Sequence, residues 1–254
     1  MWNPASGLEG RVAIVTGAAG GIGQACLDAF STAGARLVAC DRDPQLIDRV
    51  GADLSDPSRP LTVVADLGQP EAAEHLVDEV LRRCGRVDVL VNAAGVHLRL
   101  PFEEIDEWAW QEYLNANVKS QFYVSRAVAR PMSAARWGRI INFSSLAAYT
   151  GGYRPETSVA YASTKGAVLT MTRSLSRLLA PHNILVNAIA PGGVRTPMAT
   201  TLSEQDLATY ARDVPLGRLA EAHEIAAAAL FLASDHASYI TGAVIDINGG
   251  SYNH

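Results

Sequence analysis

The chain has 254 residues, 48% of them hydrophobic and 19% charged, with a formal net charge of −5 at pH 7. That length and apolar share suffice for one α/β domain with a full core, expected over residues 8–254 behind an N-terminal extension, 1–7. The acidic balance and the lack of any basic run argue against nucleic acid as the main ligand and leave a small molecule as the expected partner.

Residues 1–7 have neither the charged n-region nor the long apolar h-region of a secretory leader. The first apolar run, 11–16, leads into Thr16-Gly-Ala-Ala-Gly-Gly-Ile-Gly23 and a helical pattern over 22–33. Strand-length runs recur at 36–40, 61–65, 87–92, 139–143, 184–189 and 243–247, and helical stretches at 70–84, 107–135, 159–179 and 221–233 lie between them. Most of the strands are continuously apolar, as a sheet covered on both faces requires. Regular alternation of strand and helix predicts a parallel, doubly wound sheet with right-handed crossovers. No stretch is long enough to span a membrane. Cys26, Cys40 and Cys84 are scattered without zinc or redox spacing, as expected of buried thiols in a reducing cytoplasm. No metal site is expected.

Glycines between a first strand and a helix allow a sharp turn and let a pyrophosphate approach the helix N-terminus, although a plain βα turn uses them too. Asp41 ends the second strand, where a carboxylate accepts hydrogen bonds from an adenosine 2′-hydroxyl and repels a 2′-phosphate. This favours NAD over NADP, while the adjacent Arg42 leaves NADP open. Asp66 and Asn92-Ala-Ala-Gly95 end the next two strands at the same sheet edge, as ligand residues or as turn formers. Only two basic residues are lysines, Lys119 and Lys165, and Tyr161 lies one helical turn before the second.

Thr16-Gly17 with Gly21 and Gly23 resembles the motif TGxxxGxG, and Asn92–Gly95 resembles NNAG with Ala93 in place of the second Asn. Tyr161 with Lys165 resembles YxxxK, and Pro191-Gly192 through Thr196 and Met198 resembles PGxxxTxM. In this order over residues 8–250, the set resembles the classical short-chain dehydrogenases/reductases. The resemblance implies a single-domain, seven-stranded Rossmann sheet and a catalytic set of Asn117, Ser145, Tyr161 and Lys165. It implies a cofactor site drawn from Gly17, Gly21, Ile22, Gly23, Asp41, Asp66, Leu67, Asn92, Ala93, Gly95, Tyr161, Lys165, Pro191, Gly192, Val194 and Thr196. A homotetramer with the long helices and residues 243–250 at its interfaces is implied as well.

Hydride reduction of a ketone needs a proton for the developing alkoxide, and Tyr161 is the expected donor. A free phenol ionises at about 10, so a nearby Lys165 cation is expected to lower it. By resemblance Asn117 anchors a water chain to that lysine, and the family register selects Ser145 as the helper hydroxyl. The segment 146–160 is about three residues longer than the family's usual spacing, so Ser144 stays open. Lys119 is expected on the surface or at a subunit contact. His97, Arg99, Tyr149, Tyr153, Arg154 and Met198 are expected to line a substrate pocket for a sugar acid or polyol, under a mobile lid at 199–215. A second reading is an NADPH-dependent 3-oxoacyl thioester reductase, with Arg126, Arg130, Arg173 and Arg177 docking an acidic carrier protein. A third is a non-catalytic nucleotide-sensing protein, which should have lost the tyrosine or the lysine.

Overall fold

The computed structural model describes residues 6–53, 60–198 and 203–253. Its strands in chain order are β1 (Val12–Thr16), β2 (Arg36–Asp41), β3 (Leu61–Val64), β4 (Val89–Asn92), β5 (Gly138–Phe143), β6 (Ile184–Pro191), β7 (Val194–Arg195), β8 (Ala220–Glu221) and β9 (Val244–Ile247). Among the described residues, seven of these form one parallel sheet in the order β3-β2-β1-β4-β5-β6-β9, and β7 pairs with β8. This is the doubly wound Rossmann architecture expected from the sequence.

Its continuously apolar strands serve two cores at once. Ala13 and Val15 of β1, Val89 and Val91 of β4, and Ile141 and Phe143 of β5 pack on one face, with α1 (Gly21–Thr32) and α9 (Ala222–Ala233). Val12 and Ile14, Leu90 and Ile140 alternate with them onto the other face, against α3 (Pro70–Cys84) and α5 (Ser120–Ala135). Fully burying each of the valine, leucine, isoleucine and phenylalanine side chains stabilises the fold by roughly 1.5–3 kcal/mol. Cys26 and Cys40 sit in these cores, and burial pushes both thiols up to about 12. Among the described residues, no helix is long and apolar enough to cross a membrane.

Helix α3 and helix α7 (Val159–Leu179) keep the bounds expected from the sequence. The single helix expected over 107–135 is divided into α4 (Glu107–Leu114), a π-helical turn (Asn115–Lys119) and α5, the turn being closed by Ser120 N donating to Asn115 O. Three helices were not anticipated: α2 (Pro44–Asp53), α6 (Ala147–Thr150) and α8 (Glu204–Asp213). Strand order reverses between β1 and β4, so their C-terminal ends flank the crevice where such sheets take ligands.

Candidate active site

The turn after β1 is shaped by close backbone approach. Gly17 adopts a left-handed φ of +63°, and a Cβ there would lie 2.7 Å from the Ala94 backbone. A Cβ on Gly23 would lie 2.1 Å from Gly17 O, so α1 seats directly on the turn. Gly20, the N-cap of α1, brings no side chain to cover the helix's positive end, and Thr196 packs against Gly21. Asp41 is fixed beside this turn: Oδ2 accepts from Ala19 N at 3.0 Å, and Oδ1 accepts from Arg42 N at 2.7 Å and Asp43 N at 3.2 Å. The Arg42 guanidinium is ion-paired with Glu112 of α4. Asp66 accepts from Gly68 N at 3.0 Å, with Leu67 buried beside it. An uncapped helix end behind a cradle that a Cβ would fill, with a carboxylate at the β2 end, fits the pyrophosphate and adenosine ribose of a dinucleotide.

Behind the cradle lies a buried polar network. Lys165 donates from Nζ to Phe143 O at 2.9 Å, and burial brings its ammonium down to about 8. Asn117, fully buried in the π turn, donates to Val96 O and Thr164 Oγ1, both at 3.0 Å, and accepts from Val96 N at 2.8 Å. A Cβ on Gly95 would come within 2.9 Å of Asn117 Oδ1 and 3.3 Å of Lys165 Nζ, so only glycine keeps that gap open. Gln121, unanticipated and fully buried, donates to Asn117 O at 3.1 Å and to Phe143 O at 3.2 Å. It thereby occupies the Asn117 carbonyl and shares an acceptor with Lys165. Its four-residue spacing from Asn117 was the available signal, as was the adjacency of Thr164 to Lys165.

The two serines after β5 point differently. Ser144 is buried and donates to Lys165 O at 2.8 Å, whereas Ser145 Oγ accepts from Ala147 N at 3.1 Å and lines the same cavity as the Tyr161 phenol, whose ionisation it favours. Asn92 was expected at the cofactor, but its side chain is turned into the sheet, where it donates to Asn142 Oδ1 at 2.9 Å and Ser125 Oγ at 3.1 Å. Lys119 is half-buried and donates to Asn115 Oδ1 at 2.8 Å.

A cavity of about 500 Å³ brings together Ser145, Tyr161 and Lys165 with Ile22, Ala93, Gly95, Pro191, Gly192, Val194 and Thr196. The Tyr161 ring stacks on His97 with centroids 4.3 Å apart. His97 Nε2 lies 3.1 Å from Thr157 O, which can only accept, so this nitrogen carries the hydrogen. Burial holds the imidazole down to about 4, leaving it neutral at pH 7. Lys165 is expected from the sequence to lower the Tyr161 phenol; instead burial raises it, with the Ser145 hydroxyl and the Arg99 charge pulling the other way. The reason is geometric: the Lys165 ammonium is committed to Phe143 O and sits 5.7 Å from the Tyr161 ring centroid.

His97, Arg99, Tyr153, Arg154 and Met198 line the cavity as expected, whereas Tyr149 stacks on Tyr252 and is not among the lining residues. Arg99, at a left-handed φ of 57°, donates to Met198 O at 3.4 Å. Tyr153 stacks on Tyr210 with centroids 4.2 Å apart and donates to Asp213 at 3.1 Å, and Arg154 pairs with Asp206. These contacts tie α8 to the loop before α7. Of the segment expected to be a lid, 199–202 lies outside the described residues, and α8 occupies most of the rest.

The family model described as enoyl-(acyl carrier protein) reductase matches residues 17–252. The 3-oxoacyl-[acyl-carrier-protein] reductase of Aquifex aeolicus is 35% identical over 96% of this chain and 98% of its own. Galactitol 2-dehydrogenase (L-tagatose-forming) of Cereibacter sphaeroides is 39% identical over 96% of this chain and 95% of its own. A solved short-chain dehydrogenase/reductase of Brucella melitensis, titled glucose/ribitol dehydrogenase, superposes with a TM-score of 0.90 at 36% identity, covering 97% of this chain and 98% of that one. Matches of this extent, on a sheet with a glycine turn after β1 and a tyrosine–lysine pair on α7, show that the chain belongs to the short-chain dehydrogenases/reductases, oxidoreductases of CH–OH and keto groups.

Proposed function

We propose that the protein interconverts a secondary alcohol and a ketone with NAD(H), on a small hydroxylated or carboxylated substrate such as a polyol or sugar acid. The observation that carries this reading is the convergence of Ser145, Tyr161 and Lys165 on one cavity. Bound there, a nicotinamide dinucleotide supplies hydride exchange at its ring. Tyr161 gives its proton to the substrate oxygen in reduction and takes it back in oxidation, while Ser145 hydrogen-bonds that oxygen. Lys165 holds positive charge behind the phenol, and Asn117 fixes the 95–97 backbone against α7. Gly17, Gly21, Gly23 and Thr196 receive the pyrophosphate, Asp41 the adenosine ribose with Asp66 and Leu67 alongside, and Ile22, Ala93, Gly95, Pro191, Gly192 and Val194 the nicotinamide end. The buried Asn92 acts in this scheme by holding β4 to β5. The half-exposed apolar strand β9, at the sheet edge, suits the interface of a homotetramer.

The polyol reading is supported by the galactitol dehydrogenase relative and by the basic and phenolic groups lining the cavity. The Aquifex relative favours the second reading, NADPH-dependent reduction of a 3-oxoacyl thioester. Against it, Arg126 of the proposed docking row is already paired with Glu74 at 3.0 Å.

The test is turnover of polyols, sugar acids and a 3-oxoacyl thioester with both dinucleotides, by wild type and Tyr161→Phe. The variant is expected to lose about 10²–10⁴-fold in kcat while still binding NAD. Undiminished turnover in the variant overturns the proposal. Because the phenol is raised above its ordinary value, wild-type oxidation should climb steadily on the alkaline side of neutrality, whereas ketone reduction, which uses the protonated phenol, should stay level until pH passes that raised value.

A further inference from the structure

We infer that Glu112 sets the dinucleotide preference by holding Arg42 away from the position of a 2′-phosphate. This rests on the proposed binding of the adenosine ribose at the β2 end. Arg42 follows Asp41 there, and a guanidinium at that point is suited to bidentate hydrogen bonding of a phosphate. Its own geometry commits it elsewhere: Arg42 Nη1 is paired with Glu112 Oε1 on α4, and the carboxylates of Asp66 and Asp41 also act on it.

Three carboxylates therefore face one cation at the place where NADP would bring further negative charge. Asp41 is held by backbone N–H groups and Asp66 by Gly68 N, so neither can turn away easily. Glu112 is the less exposed partner, 21% against 53% for Arg42, and stands on a regular helix that continues into the π turn holding Asn117. The fixed end of the pair is thus the glutamate, and the long arginine side chain is the part that can swing. An exposed pair contributes little to stability. Its consequence is directional: it decides where the guanidinium points.

The experiment measures dissociation constants of NAD and NADP by calorimetry for wild type, Glu112→Gln, Arg42→Ala and the double variant. Glu112→Gln removes one negative charge and releases the guanidinium, so the affinity for NADP relative to NAD should rise by about five- to tenfold. That gain should disappear in the double variant and shrink at about 0.5 M salt, as a screened charge effect does. Arg42→Ala alone should weaken NADP by less than about twofold, because a guanidinium held by Glu112 adds little to phosphate binding. An unchanged NADP-to-NAD ratio in Glu112→Gln overturns the inference, and so does a several-fold loss of NADP affinity in Arg42→Ala. Should Glu112→Gln fail to fold, the Arg42→Ala measurement decides alone. Wild-type protein that binds neither dinucleotide overturns the proposed function and takes this inference with it, whereas intact NAD binding with no effect of Glu112→Gln overturns the inference only.

Discussion

Around Lys165 the polar groups Asn117, Gln121, Ser144 and Thr164 are buried and hydrogen-bonded, whereas around Tyr153 and Arg154 polar groups meet in more exposed ion pairs and ring stacks. The first arrangement belongs to the strand ends and α7; the second joins a loop to α8. Stripping one partner from a buried hydrogen bond costs about 1–3 kcal/mol, while an exposed ion pair contributes about 0–1 kcal/mol. The buried half therefore has little freedom to vary. The exposed half can change its side chains without loss of the fold, which is where substrate choice belongs.

The largest effect expected from this division is at Lys165. Replacing it with Met removes the buried cation, and kcat should fall by about 10²–10³-fold, as for loss of a preorganised charge. A fall of less than tenfold in steady-state assays breaks the assignment of the chemistry to the buried half. Gln121→Leu comes next, because it strips a donor from both Asn117 O and Phe143 O. Gln121 Oε1 has no hydrogen-bond partner among the described residues, and Leu relieves that cost. The net destabilisation should sit near the low end, about 1 kcal/mol, in denaturant unfolding. A variant as stable as wild type would show that the network does not act as a unit. Smallest is Arg154→Ala, which should move unfolding stability by less than about 1 kcal/mol and act on KM more than on kcat. An equal drop in kcat and kcat/KM would place Arg154 with the chemistry and erase the distinction.

Legibility in the sequence follows the same line. Helix α3 was readable to the residue because Pro70 opens it and Gly85, at φ 76°, ends it in the left-handed region. The seven sheet strands were readable because a strand buried on both faces has to be apolar throughout. Helix α2 had its signal too, Asp43 accepting from Gln45 N at 2.9 Å with Pro44 at the first turn. The π turn had only a faint one, a helix-interior Asn117 of modest propensity that fits a backbone kink, since bonding to the fifth residue instead of the fourth leaves no mark in composition. Motif order brought Ser145, Tyr161 and Lys165 into one cavity, yet the direction of the Tyr161 shift depended on burial and on what Lys165 bonds to, neither of which a motif encodes. Tyr149 and Asn92 went astray for a related reason: position along the chain does not say which way a side chain points.

The π turn sets the site apart from the helix packing through counting. It inserts one residue relative to regular winding between α4 and α5, and each residue advances a helix by about 100°. The wide turn absorbs that residue, so α5 keeps Val124, Val128 and Met132 on the sheet while Asn117 is carried towards Val96 and Thr164. A one-residue deletion between 115 and 119 would let regular α winding run through and leave the apolar stripe in place, yet it would displace the asparagine. The added residue therefore serves the site and not the packing of α5.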